Sequence, residues 1–247
     1  RLAAAASAEA GPGAETAVHI AFDLTNVENP GTNLRPVNIS TRGALYSDHS
    51  MISGFAVSTG GDSKTFLLRG VGPALASLDV PGGSPDPRLR LYNSGNTLIA
   101  ENDSWDSNLS SVFSDFGAFL FTPGSKDAAV APSLEAGTYS MIVDGSPDAA
   151  VQGSPGAAIV EVYDKDVNNP TQLLNLSTRG YVTSSAPLRA GLVIQGAGTK
   201  RILIRAVGPG LSNFGVNNAL PTTRLTVSIG GLSSQPIYSN SGWSNFP

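Results

Sequence analysis

Apolar and polar residues alternate in short stretches through most of this chain, and clusters of Gly, Pro, Asn and Ser separate the stretches. Alternation with a period of two is typical of strands with one buried face. It predicts strands at residues 51–58, 65–70, 88–92, 97–100, 138–143 and 158–163. Residues 107–116 are the one segment predicted to be helical, capped by Ser104 or Asp106. The pattern therefore predicts an all-β fold of the β-sandwich (jelly-roll-like) type.

An internal repeat organises the chain. The motif Asn-Ile-Ser-Thr-Arg-Gly at residues 38–43 returns as Asn-Leu-Ser-Thr-Arg-Gly at residues 175–180, which is 137 positions later. Three further matches follow in the same order: Gly54 with Gly191, residues 67–73 with 203–209, and residues 102–105 with 240–243. Constant order indicates duplication, and this period is too long for solenoid repeats of about 20–50 residues. Each copy is therefore expected to be a domain with its own core.

A copy of the closing strand precedes the complete repeat, because residues 17–23 resemble residues 158–164. The sequence thus predicts tandem β-sandwich domains of which the second is incomplete. The predicted boundaries are a flexible N-terminal tail at 1–16, the closing strand plus a linker at 17–36, the complete sandwich at 37–165, a linker at 166–174 and the incomplete sandwich at 175–247.

Composition narrows the classes of partner. Charged residues make up 14% of the chain, and 28 Gly and 17 Pro residues favour frequent turns. The net charge is −4 without a basic cluster, so no nucleic-acid partner is expected. Apolar runs stay below the roughly 18 residues of a membrane span. The chain has no cysteine, which excludes disulfides and thiolate metal sites.

The N-terminus suggests export. Ala6-Ser7-Ala8 fits the small-x-small pattern that precedes a signal-peptide cleavage site, and a flexible Ala-rich tail is the alternative. An extracellular or cell-surface location is predicted.

Three motifs carry a family resemblance: residues 38–43, the Leu-Leu-Arg-Gly-Val-Gly-Pro run at 67–73, and Val-Glu-Val-Tyr-Asp at 160–164. They resemble a repeat module of large secreted proteins from Verrucomicrobia-type bacteria, over residues 17–247. Residues 89–93, 101–103 and 136–139 are also similar to the bacterial pre-peptidase C-terminal domain, a β-sandwich appended to exported enzymes. The first resemblance implies export and modularity, and the second implies an accessory role.

Catalytic motifs are missing from the sequence. His19 and His49 share no motif, and no nucleophile elbow, phosphate-binding loop or His-Glu-x-x-His pattern is present. We therefore predict a protein that is not an enzyme, with no catalytic residue and no bound cofactor.

Calcium is the one candidate metal. Asn102, Asp103 and Asp106 follow a predicted strand, and Asp127 lies in the next loop. Closely spaced oxygen ligands suit Ca²⁺. The second copy has no carboxylate at the matching residues 239–243, which favours a turn anchored by a packed Trp instead.

Two pairs of arginines recur at matching positions among apolar residues: Arg42 with Arg179, and Arg69 with Arg205. Such arginines usually bind a carboxylate or backbone carbonyls. Glu161 and Asp164 are the predicted partners in a structural clamp.

Two functional hypotheses follow. In the first, the chain is an extracellular structural protein, a subunit of a filament or surface assembly that forms a homo-polymer by strand complementation between subunits. Intramolecular closure would satisfy the same edges. The strand predicted to mediate assembly comprises Ala17, Val18, His19, Ile20, Ala21 and Phe22. In the second, the chain is a carbohydrate-binding or adhesive accessory module of a larger secreted protein, with glycans as partners.

Overall fold

The computed structural model describes residues 2–7, 13–22, 34–146, 156–166, 169–230 and 235–242. Seventeen strands are present in this part of the chain: β1 Leu2–Ser7, β2 Ala14–Phe22, β3 Arg35–Leu45, β4 Met51–Val57, β5 Lys64–Thr65, β6 Leu67–Val71, β7 Pro87–Asn93, β8 Leu98–Asn102, β9 Ala128–Val130, β10 Ser133–Leu134, β11 Gly137–Gly145, β12 Gly156–Tyr163, β13 Leu173–Val182, β14 Leu188–Gln195, β15 Ile202–Val207, β16 Arg224–Ile229 and β17 Pro236–Ser241. The helical elements are α1 Ser110–Phe116 and 3₁₀ turns at Pro73–Leu78, Ser107–Leu109 and Pro209–Phe214. None of the described helices is long and apolar enough to cross a membrane.

Two large antiparallel sheets form a β-sandwich. One sheet has the strand order β17-β16-β1-β14-β3-β12-β6-β9, and the other has the order β15-β2-β13-β4-β11-β7-β8. Alternate residues of each strand point inward, where Ile39 and Val160 of the first sheet join Leu91 and Met141 of the second in one core. The predicted all-β sandwich fold is confirmed.

The strand order reveals two units related by a pseudo-twofold axis. In the first unit, β11 lies between β4 and β7, and β12 lies between β3 and β6. In the second unit, β1 lies between β14 and β16, and β2 lies between β13 and β15. The N-terminal strands β1 and β2 therefore occupy the positions of β11 and β12, and they complete the second unit within the same chain.

The N-terminal segment differs from its predicted role. Residues 1–16 were expected to be a flexible tail, but Leu2–Ser7 forms a central strand paired on both sides, and β2 begins at Ala14. A run of alanines carries no alternation of apolar and polar residues, so the sequence pattern does not mark it as a strand. Pairing is enforced by β14 and β16, whose backbone groups would otherwise lack partners.

The two units share both sheets. β3 pairs with β14 and β4 pairs with β13, so hydrogen-bonded strands run without a break from one unit into the other. At this junction the buried hydroxyls of Ser53 and Thr178 lie 2.9 Å apart. The tandem sandwiches are therefore fused side by side rather than joined only by the linker predicted at 166–174.

Candidate functional site

The guanidinium of Arg69 is the main buried polar centre of the first unit. Arg69 extends from β6 on the outer face of its sheet and is fully buried. Its Nε donates to Glu161 Oε2 at 2.8 Å, and its Nη1 donates to the Phe119 carbonyl oxygen at 2.7 Å. Four ring centroids lie 4.2–5.3 Å from the guanidinium carbon, those of Phe113, Phe119, Phe121 and Tyr163. We call Arg69, Glu161 and these rings the Arg69 cage.

The cage is a closed structural centre. Burial and the negative charge of Glu161 raise the pKa of the Tyr163 hydroxyl, which therefore stays protonated and donates to Glu161 Oε1 at 3.2 Å. Each donor of the guanidinium has an oxygen or an aromatic ring beside it, as a buried cation requires. The Arg69 side chain itself has no exposed surface.

Residues 103–130, here called the covering segment, lie across this outer face. Trp105 stacks on Phe113 with ring centroids 5.3 Å apart, and its Nε1 donates to the Thr122 carbonyl oxygen at 3.2 Å. At its end the segment forms β9, which pairs with β6. The segment thus supplies both the apolar cover of the cage and the last strand of the sheet.

Asp127 attaches the covering segment to the 3₁₀ turn Pro73–Leu78. Its Oδ1 accepts from the Gly72 amide at 2.7 Å, and both carboxylate oxygens accept from the Ala74 amide at 3.2 Å. Ser125 Oγ donates to Oδ2 at 2.8 Å. The carboxylate therefore acts as a cap for the turn, satisfying amides that have no partner in the turn itself.

The structure does not gather the predicted calcium ligands into one site. Asn102 Oδ1 accepts from the Ala129 amide at 3.0 Å, and Asp106 Oδ1 accepts from the Asn108 amide at 2.9 Å. Asp103 is exposed to solvent. Within the described residues, no group of three or more His, Asp or Glu side chains is arranged to hold a metal. Three of the four predicted ligands, Asn102, Asp106 and Asp127, thus accept hydrogen bonds from backbone amides.

The second unit has the same framework without the cage. Arg205 on β15 lies opposite His19 on β2, in the position where Arg69 lies opposite Glu161. Burial and the neighbouring positive charge of Arg205 lower the pKa of His19, so its imidazole is neutral at pH 7. Among the described residues, no carboxylate forms an ion pair with Arg205.

None of the described residues forms a cover over the outer face around Arg205 like the one over Arg69. Leu203 is 54% exposed, whereas its counterpart Leu67 is fully buried under the covering segment. β15 pairs with β2 on one side and is the last strand of its sheet, whereas β6 lies between β12 and β9. We call the outer residues Leu203, Arg205 and Val207, together with the free edge of β15, the open face.

The other predicted clamp residues have different partners. Arg42 on β3 lies opposite Arg189 on β14. Arg179, its counterpart in the second unit, has its Nε 3.8 Å from Glu15 Oε2. The predicted pairing with Glu161 therefore holds for Arg69 only.

Asp164 binds two cations of the first unit that the sequence did not single out, and the Leu173 amide of the second unit. Its Oδ1 accepts from Arg35 Nη2 at 3.0 Å and forms an ion pair with Lys64, and its Oδ2 accepts from the Leu173 amide at 2.8 Å. Arg35 and Lys64 are buried, yet both lie at strand ends next to Gly- and Asn-rich segments, a setting typical of exposed charges. Only the tertiary contact with Asp164 distinguishes them.

The strand predicted to mediate assembly lies inside the fold. Residues 17–22 are part of β2, which pairs with β13 on one side and with β15 on the other. Val18 and Ile20 are buried in the common core. The predicted edges are therefore satisfied within one chain, and the edge strands of the two large sheets, among the described residues, are β8, β9, β15 and β17.

Comparison with known proteins assigns no function to these surfaces. Compared with protein-family models, curated proteins and solved structures, the chain matches none of them. The surfaces of each unit are therefore interpreted by comparison with the matching surfaces of the other unit.

Proposed function

We propose that this chain is a non-enzymatic structural module of an extracellular or cell-surface assembly, and that it assembles through the open face of its second unit. The carrying observation is the contrast between Leu67, which is fully buried, and Leu203, which is 54% exposed, at matching positions of the two units. The extracellular location rests on the resemblance of the repeat motifs to secreted modules.

The free edge of β15 favours a partner that adds a strand. An edge strand presents amides and carbonyls without partners, and such edges pair readily with an extended segment of another chain. In the first unit the equivalent edge is occupied by β9, a three-residue strand of sequence Ala-Ala-Val. A short strand of small apolar residues therefore fits the edge of β15.

Charge complementarity favours an acidic partner. Arg201 lies directly before β15 and Arg205 lies on it, and both are exposed. The covering segment that occupies the equivalent face carries four aspartates and one lysine. Its Asp127 caps the turn at Gly72. The partner is thus an acidic, aromatic-rich segment of a neighbouring subunit, with the chemistry of residues 103–130.

Binding of a synthetic peptide tests this proposal. A fluorescent peptide of residues 103–130 is titrated into the intact chain, and its anisotropy is measured. We expect saturable binding that Leu203→Glu weakens at least tenfold, because a glutamate places a negative charge against the acidic peptide. The matched control is Ile237→Glu, which changes an exposed apolar residue on the edge strand β17.

Two outcomes would contradict the proposal. One is the absence of binding to the intact chain, and the other is equal binding by the Leu203→Glu chain. Sedimentation velocity of the chain alone adds a second measurement: association of copies that Leu203→Glu abolishes and Ile237→Glu preserves would show that the open face also mediates contact between copies.

A further inference from the structure

A pair of like charges faces outward where the two units join. In the antiparallel register, Arg42 of β3 lies directly opposite Arg189 of β14, and both side chains are on the outer face and half-buried. Like charges at directly opposite positions of a sheet destabilise it. Burial and the charge of Arg189 also lower the pKa of Arg42. The arrangement therefore favours an anion that would offset both charges.

The pseudo-symmetric position shows that the fold does not demand this pair. Arg179, the counterpart of Arg42, lies opposite Ile52 and has its Nε 3.8 Å from Glu15 Oε2. In the first unit Ala157 occupies the position of Glu15. Around Arg42, a second arginine therefore occupies the position of Ile52, and an alanine occupies the position of Glu15.

An open groove of about 510 Å³ lies over the two arginines. Its walls include Tyr46, Pro81 and Pro187, which offer ring faces, and Ser185, which offers a hydroxyl. Asp79 also lines the groove, but it forms no ion pair with either arginine. Ring faces and a hydroxyl beside a charged centre are the features with which proteins hold a sugar ring bearing an acidic group.

We propose that this groove binds an acidic polysaccharide, with Arg42 and Arg189 donating to a sugar carboxylate. A guanidinium matches a carboxylate with two parallel hydrogen bonds, and two guanidinium groups on adjacent strands bracket it from both sides. Tyr46 and the two prolines contact the ring of the sugar. This site is independent of the open face, which belongs to β15 at the far end of the second unit.

Isothermal titration calorimetry with tetragalacturonate tests the proposal. The neutral probe is the methyl ester of the same oligosaccharide, and the small-anion probe is sodium sulfate. We expect tetragalacturonate to bind, the ester to bind at least tenfold more weakly, and the affinity to fall as NaCl is raised. Arg42→Gln and Arg189→Gln should each reduce the affinity at least tenfold, whereas the matched control Arg179→Gln should leave it unchanged.

Thermal unfolding of the free protein separates a binding role from a structural one. Because Arg189→Gln removes a like-charge contact, we expect its Tm without ligand to equal or exceed that of the parent chain, while ligand no longer raises it. Equal affinity of the ester and the acid would overturn the proposal, as would undiminished binding in Arg42→Gln or Arg189→Gln. Binding of sulfate without binding of tetragalacturonate would overturn the assignment to a polysaccharide.

Discussion

At the scale of single residues, close backbone contacts explain why glycine recurs at positions 72 and 208 of the repeated motifs. A Cβ atom on Gly72 would lie 2.2 Å from the Ser84 carbonyl oxygen, and one on Gly208 would lie 2.3 Å from the Leu220 carbonyl oxygen. Glycine is therefore required at both places by the close approach of another backbone segment. The recurring arginines have different surroundings in the two units. Arg69 has a buried carboxylate partner and a cover, whereas Arg205 is exposed.

The Arg69 cage gives the first residue-scale prediction. Glu161→Gln keeps the shape of the side chain but leaves the guanidinium buried without its carboxylate. We expect the free energy of unfolding to fall by about 3–5 kcal/mol, because removing one partner of a buried ion pair leaves an uncompensated charge. Urea unfolding at pH 7 measures the change.

The control for this variant is Glu101→Gln. Glu101 Oε1 lies 3.7 Å from Arg88 Nη1, and the Glu101 side chain is 43% exposed. Solvent screens such a pair, so its removal should cost at most about 1 kcal/mol. Similar losses for the two variants would show that the cage contributes no more than a surface ion pair.

At the scale of elements, the central position of β1 is the main departure from expectation. Because the alanine side chain is small, we attribute the contribution of β1 to the fold largely to its backbone pairing. Ala4 lies opposite Ala190 on one neighbour and opposite Val227 on the other. β1 therefore links β16 and β17 to the rest of the sheet.

Proline at this position tests the pairing. Ala4→Pro removes a backbone donor from a central strand, where proline is not tolerated. We expect the free energy of unfolding to fall by about 1–3 kcal/mol or more, because a buried partner is left without its hydrogen bond. Ala4→Ser keeps the amide and should unfold close to the parent chain. Equal stability of the two variants would mean that β1 does not hold this position in solution.

At the scale of the whole molecule, one hydrophobic core spans both units. The same cluster contains Leu91 and Met141 of the first unit and Leu192 and Val182 of the second. Because paired strands also cross the junction, the two units are expected to unfold together rather than as separate domains.

A variant in one unit and a probe in the other test this cooperativity. Leu192→Ala removes a buried side chain from β14, at a cost of about 2–5 kcal/mol. Trp105 in the covering segment of the first unit is the fluorescent probe, in a chain whose second tryptophan is changed by Trp243→Phe. We expect Leu192→Ala to lower the midpoint of the Trp105 transition. An unchanged midpoint would show that the first unit unfolds independently.

The sequence alone was sufficient for the properties that depend on local pattern. Period-two alternation located the six strands predicted in the first unit to within two residues at most ends, and residues 107–116 contain the 3₁₀ turn Ser107–Leu109 and α1. The repeat identified Arg69 and Arg205 as equivalent positions, and Glu161 as a candidate partner. The strand signal is local, because a strand with one buried face has an apolar residue at every second position.

Tertiary structure alone decided which strands meet. The placement of β1 and β2 in the second unit, the pair formed by Arg42 and Arg189, and the contact of Asp164 with Arg35 and Lys64 all depend on pairing between residues a hundred or more positions apart. Alternation fixes which face a side chain occupies, but it carries no information about the neighbour in the sheet. The open face of β15 is a property of the same kind, since exposure of Leu203 depends on whether another segment covers it.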